Sequence, residues 1–148
     1  MQPRDVTALA LTGTETVLLV DDDEIVRTTV ASMLESLGYD VITAASGAEG
    51  ISILEKGTAI ALLFTDVVMP GAVSGRKLAE RAVEINRAIK ILFTSGYTEN
   101  SIVNNSRLDP GVEFLSKPYD RERLATKVRR VLDGRFKKNE PQGQPGAR

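Results

Sequence analysis

The chain has 148 residues, 42% apolar and 26% charged, with a formal net charge of −1. That is the composition of an ordinary globule and about one domain's worth of chain, with about two-thirds of its unfolded surface available for burial. The near-neutral charge gives no bulk electrostatic reason to bind nucleic acid or a membrane; without Cys there are no disulfides or thiolate metal sites, and without His there is no imidazole catalysis and no phosphohistidine on this chain.

Strand-like and helix-like patterns alternate along the sequence. Residues 1–14 have no amphipathic period and read as a disordered leader. Thr16 to Val20 is an apolar run, the first strand, closed by Asp21-Asp22-Asp23. From Asp23 to Leu37, Val26, Val30, Met33, Leu34 and Leu37 recur at helical spacing, and Gly38 stops the helix. Tyr39 to Ala44 is a second strand. Ser46 and Glu49 form a capping-box pattern that opens a helix to about Lys56. Ile60 to Thr65 is a third strand, followed by Asp66 and then by the breaker Pro70-Gly71. Leu78, Ala82 and Ile85 mark a third helix, and Ile89 to Thr94 a fourth strand. A weak helix rich in Asn and Ser spans residues 98–105. Val112 to Leu115 is a short fifth strand. Asp120 to Leu132 is a last helix with Leu124, Val128, Val131 and Leu132 on one face. Residues 134–148, with several Gly, Pro and Gln, read as a disordered tail, so the folded domain is expected at 15–133.

Five strands alternating with five helices predict an α/β fold, a parallel sheet with right-handed crossovers and helices on both faces. The near-continuous apolar runs are those of strands buried on both sides. No apolar run approaches the roughly 18 residues of a membrane span. Met1 to Thr16 lacks the apolar stretch of a signal peptide, so a cytoplasmic location is expected.

The chemistry gathers at strand ends, where open α/β sheets bind ligands. Asp66 closes a seven-residue apolar run, a costly place for a carboxylate without a partner. Asp21, Asp22 and Asp23 close the first strand. If the two strands are neighbours, their carboxylates repel one another unless a cation sits among them. The fourth strand ends in Thr94-Ser95-Gly96 and the fifth in Ser116-Lys117-Pro118. Carboxylates, a hydroxyl and an ammonium suit phosphoryl transfer onto an Asp. The carboxylates would hold Mg²⁺ and Asp66 would be the nucleophile. Lys117 would offset charge on the transferring group and Ser95 would donate to a phosphoryl oxygen. Gly96 would leave room for the incoming phosphoryl group.

Taken together, Val20-Asp21-Asp22-Asp23, Asp66-Val67-Val68-Met69-Pro70, Ser95-Gly96 and Lys117-Pro118 resemble the receiver domain of two-component response regulators, over about residues 16–133. The resemblance implies a flavodoxin-like fold with five parallel strands in the order 2-1-3-4-5. It implies that Asp66 is the phosphoacceptor, phosphorylated by a sensor histidine kinase or a histidine phosphotransfer protein. Asp22, Asp66 and the backbone carbonyl of Val68 would ligate Mg²⁺, with Asp21 assisting through water. Ser95 and Phe114 would be the switch pair, and the Lys117–Pro118 bond would be cis. Output would pass to a downstream protein through the face made by the fourth helix, fifth strand and fifth helix, with a homodimer on phosphorylation as one form of it. Such a domain is a signalling phosphoprotein that catalyses only its own phosphorylation and dephosphorylation, with no nucleic-acid or membrane partner.

Several local features depart from the commonest pattern. The loop Pro70-Gly71-Ala72-Val73-Ser74-Gly75 is one residue longer. The switch hydroxyl is Ser and the switch aromatic is Phe. An apolar Val68 cannot orient an attacking water, which implies slow self-hydrolysis; Tyr97 occupies the companion position. The stretches Leu62 to Pro70, Leu92 to Tyr97 and Leu108 to Val112 are similar to receivers at the C-terminus of hybrid histidine kinases. Both a stand-alone receiver and a hybrid-kinase fragment fit, and the stand-alone form is expected. Three plainer or rival readings stay open. Asp21-Asp22-Asp23 can simply cap the following helix. A receiver can bind partners without being phosphorylated. Asp21 and Asp23 also match the Asp-x-Asp opening of aspartyl-nucleophile phosphatases. Arg76, Lys77, Arg81 and Arg87 read as a solvated helix face. Too few residues follow the last helix for a DNA-binding domain.

Overall fold

The five apolar runs form one sheet. In the computed structural model, which describes residues 12–95 and 112–134, the strands are β1 (Thr16–Val20), β2 (Asp40–Ala44), β3 (Leu62–Asp66), β4 (Lys90–Ser95) and β5 (Val112–Ser116). Every pairing is parallel and the order is β2-β1-β3-β4-β5, as a flavodoxin-like sheet requires. The helices among the described residues are α1 (Glu24–Ser36), α2 (Gly47–Glu55), α3 (Gly75–Ile85) and α4 (Arg121–Leu132). The weak helix expected at 98–105, Gly96, Tyr97, most of the leader and the tail from 135 onward lie outside the described residues.

Because side chains alternate along a strand, the sheet divides its apolar residues between two cores. Leu18, Val20, Leu63, Ile91 and Phe93 face one side and pack with Leu54 of α2 and Leu78 and Ala82 of α3. Val17, Leu19, Leu62, Phe64 and Leu92 face the other and pack with Val30 and Leu34 of α1 and Leu124, Val128 and Val131 of α4. This two-sided burial explains why the strands read as unbroken apolar runs. It also leaves the carboxyl ends of the strands as the open edge between helices.

The first, second and last helices each start one residue later than the sequence pattern suggests, because the polar residue at the head of each is a cap. Asp23 Oδ1 accepts from the Ile25 and Val26 amides at 2.9 and 3.1 Å. Ser46 accepts from the Glu49 amide at 3.1 Å, while the Glu49 carboxylate reaches past the cap to the Ala45 amide at 2.8 Å. Ser74 and Asp120 cap α3 and α4. Several strand limits also differ from expectation: β3 starts at Leu62 and not Ile60, β4 is shifted on by one residue at both ends, and β5 runs on to Ser116. Tyr39 is not in β2, because its amide closes the end of α1 by donating to the Leu34 carbonyl. Asp66 belongs to β3 itself, opposite Thr94 in the ladder with β4. Part of the segment expected to be loose is tied down: the Gly13 amide donates to Leu37 at 3.1 Å, and Arg129 of α4 donates to the Thr12 carbonyl at 3.3 Å.

Candidate functional site

The register of β1 on β3 pairs Val20 with Thr65, so the next residue of each strand is an aspartate. Asp21 and Asp66 therefore end two central, adjacent strands, and Asp22 begins the turn into α1. Carboxylate oxygens of Asp21, Asp22 and Asp66 all lie within 4.8 Å of one another. Asp21 and Asp66 are buried and Asp22 is exposed. Lys117 reaches this cluster from the end of β5, two strands beyond β3. Its amide donates to the Ser95 carbonyl at 2.9 Å, continuing the β4–β5 ladder. Its Nζ stands 3.1 Å from Asp66 Oδ1 and 3.2 Å from Oδ2. The Lys117–Pro118 peptide is cis.

The acidic triplet divides its labour. Asp23 turns away to cap α1, which is the plain reading of that residue. Asp21 Oδ1 accepts the Asp23 amide at 2.9 Å, and the Asp21 amide donates to Ala44 of β2. The Asp21 carbonyl accepts Arg27 Nη1 at 2.7 Å. Burial holds the Asp21 carboxyl above the usual carboxylate range. The charges of Asp22 and Asp23 push the same way, against the Asp23 amide and Lys117.

The loop after Asp66 is fixed at both ends. The Val67 amide donates to Thr94 at 3.1 Å and the Gly75 amide to Val67 at 3.0 Å. Any Cβ at Gly75 would collide with the Asp66 carbonyl, so α3 can begin this close to the acidic site only with glycine there. Midway, Val73 fills the notch left by Gly47 of α2, where a Cβ would stand 2.6 Å from Val73 Cγ1. The longer loop is thus anchored on α2, and Val68 is left 47% exposed beside the cluster.

Ser95 is fully buried at the end of β4. Phe114 is half-buried and stacks on Phe93 with ring centroids 5.5 Å apart. Tyr119 packs against Phe64 at 6.2 Å. Its phenol is pushed up to about 12, first by burial and then by the charges of Asp21 and Asp66.

The donor set suits a hard divalent cation: several carboxylate oxygens and no soft ligand. Two buried carboxylates beside a third are a like-charge arrangement that such an ion relieves. Sequence reading brought Asp21, Asp22, Asp66 and Lys117 to one place, with Ser95 at the neighbouring strand end and Phe114 one strand beyond. It missed Arg27, Gly75 and Tyr119. Only Arg27 carried a signal, as a cation in the first turn of a helix, where the dipole disfavours it.

Residues 17–129 match the response regulator receiver domain family. The chain is 39% identical over 127 residues to the sensor kinase CckA of Brucella abortus (strain 2308), covering 85% of this chain and 13% of that kinase. It is 33% identical over 116 residues to the response regulator receiver protein CpdR of the same organism, covering 78% of this chain and 95% of that protein. The crystal structure of a response regulator receiver protein from Sinorhizobium medicae WSM419 aligns with a TM-score of 0.74 at 31% identity, over 83% of this chain and 98% of the other. With the same sheet order and an acidic cluster at the same strand ends that the motifs marked, the chain belongs to the response regulator receiver domain family.

Proposed function

We propose that Asp66 accepts a phosphoryl group from a phosphohistidine on a sensor histidine kinase or a histidine phosphotransfer protein. The supporting observation is the position of Asp66: buried, within 4.8 Å of two other carboxylates and 3.1 Å from the Lys117 ammonium. An Asp66 carboxylate oxygen attacks phosphorus, the P–N bond breaks, and the partner's imidazole leaves neutral. The product is an acyl phosphate on Asp66. Asp22, Asp66 and the Val68 carbonyl would hold Mg²⁺, with Asp21 acting through water, and the ion would offset charge on the transferring group. Lys117 adds a second positive charge 3.1 Å from Asp66 Oδ1. Ser95 donates to a phosphoryl oxygen, Gly96 leaves space for it, and Phe114 follows Ser95 to reshape the output face.

The donor has a way in. A shallow apolar groove of about 310 Å³, lined by Ile25, Val26, Thr29, Met33, Lys117 and Tyr119, runs from α1 to the rim of the pocket. Ile25 is 77% exposed on its edge. A partner carrying the phosphohistidine would cover that groove as its phosphoryl group meets Asp66. Whether the domain acts alone, as the match to CpdR supports, or within a hybrid kinase, as the match to CckA supports, the chemistry at Asp66 is the same. No helix among the described residues is long and apolar enough to cross a membrane.

The test is intact mass after incubation with Mg²⁺ and a small acyl-phosphate donor, beside Asp66→Asn. The expected result is a gain of one phosphoryl group in the wild type, lost in the variant and on chelation of the metal. No gain would favour a receiver that only binds. A gain that survives Asp66→Asn would favour Asp21 and the phosphatase reading.

A further inference from the structure

We propose that Arg27 is a positioning residue for the acidic pocket, a clamp that holds the Asp21-Asp22-Asp23 turn so that its carboxylates converge on Asp66; this rests on the reading of that pocket as a Mg²⁺ site. Arg27 lies in the first turn of α1, at the positive end of the helix dipole. A cation is disfavoured there, and a local rule broken in this way calls for a compensating contact. Helical side chains lean toward the helix N-terminus, so the guanidinium folds back over the turn. There Nη1 meets the Asp21 backbone carbonyl at 2.7 Å, and the side chain is half-buried.

The choice of acceptor is the informative detail. Arg27 bonds the backbone carbonyl of Asp21 and not its carboxylate. The oxygens that a metal needs therefore stay turned toward one another instead of being drawn off into an ion pair. Asp21 is held at three points: its amide on Ala44, one carboxylate oxygen on the Asp23 amide, and its carbonyl on Arg27. The first two tie the turn to β2 and to itself. Asp23 joins the turn to α1 through its cap, and among the three bonds of Asp21 itself only the Arg27 bond reaches α1, which packs on the sheet through Val30 and Leu34.

The test measures Mg²⁺ affinity by calorimetry for the wild type, Arg27→Met and Arg27→Lys, together with urea unfolding of each in metal-free buffer. Arg27→Met is expected to bind Mg²⁺ about tenfold more weakly while remaining folded, the low end of what losing a partner behind a metal ligand costs, and Arg27→Lys, which keeps the charge and one donor, to stay within about threefold. A merely structural arginine would lower stability in metal-free buffer and leave the affinity of the folded protein unchanged, and that result overturns the proposal. If Arg27→Met does not fold, Arg27→Ala replaces it. That variant removes the donor while keeping a strong helix former, and wild-type affinity in it likewise refutes the clamp. A wild type that takes up no Mg²⁺ refutes the reading of the pocket itself, and the clamp with it.

Discussion

The ion network around Arg129 yields the prediction whose size can be worked most directly. Arg129 projects from α4 and grips Glu15 with both arms, Nη2 to Oε2 at 2.8 Å and Nη1 to Oε1 at 3.1 Å. Nη1 also donates to the Tyr39 hydroxyl at 3.1 Å, and Nη2 to Asp133 at 2.9 Å. The Arg129 side chain is 16% exposed and Glu15 is 32% exposed. An exposed ion pair is worth about 0–1 kcal/mol, and a hydrogen bond to a charged group about 1.5–3 kcal/mol. The pair lies between those limits, so a double-mutant cycle of Arg129→Met and Glu15→Gln should give a coupling of about 1–2 kcal/mol at neutral pH. The Arg129 guanidinium holds the Glu15 carboxyl below the usual range, against a smaller opposing effect of burial. A lowered folded-state value means stability that is present above the unfolded carboxyl value and lost as pH falls through the folded one. The gap between wild type and Glu15→Gln, read from urea unfolding, should therefore be full at neutral pH and close as the pH falls below about 4. A coupling under about 0.3 kcal/mol, at the limit of additivity, would refute the estimate. A gap that widens on acidification would refute the sign.

Three further outcomes are expected. Lys117→Ala should still be phosphorylated but should weaken the switch; a full phosphorylation-dependent shift in partner affinity in that variant would show that Lys117 does not carry the role given to it. Gly75→Ala should lower stability by about 1–3 kcal/mol, because its Cβ is forced against the Asp66 carbonyl and α3 must shift; an unchanged urea midpoint would mean that the loop yields freely. Alkaline titration followed by phenol absorbance should show one tyrosine ionising near 12, absent in Tyr119→Phe. Since that folded-state value is raised, its contribution to stability is complete below the ordinary phenol value of about 10 and is lost as pH rises through about 12.

The fold was legible because parallel strands buried on both faces leave unbroken apolar runs, and because three of the described helices open on a polar residue at the head of the pattern. Asp23, Ser46 and Asp120 are all visible before any coordinate is known. The acidic cluster was legible because Asp21 and Asp66 each end such a run, and strand order then makes them neighbours. Other features were set by partners distant in sequence, which no local pattern encodes. Tyr39 reads as the start of a strand by its aromatic character, but its amide is taken by Leu34 at the end of α1. Arg129 and Glu15 each look like surface charges, and only the packing of α4 beside the amino-terminal lead-in makes them a pair. The extra residue of the loop after Asp66 was visible, but its anchor was not. Gly47 reads as an ordinary first-turn residue until Val73 is found in its notch. The triplet Asp21-Asp22-Asp23 supported both a cap and a converging carboxylate cluster; Asp23 caps α1, while Asp21 and Asp22 lie with Asp66.

The two-core arrangement also bears on how a change at Asp66 could travel. β5 places Phe114 against the core shared with α2 and α3, and the next residue, Leu115, in the core shared with α1 and α4. Leu115 is buried, whereas Phe114 is half-buried and stacked on Phe93. Packed interiors resist small displacements, so the strand is held on the Leu115 side and can give on the Phe114 side. Ser95 is directly paired with Ser116 on β5, two residues beyond Phe114. A pull on Ser95 by a phosphoryl group on Asp66 would thus reach β5 at its carboxyl end and be felt on the face where Phe114 has room to move. Phe114→Leu should then leave phosphorylation intact and blunt the response of that face. Leu115→Ala should instead cost about 2–5 kcal/mol of stability, by opening a cavity in the opposite core. Equal effects of the two substitutions on partner affinity would mean that the signal does not keep to one side of the sheet.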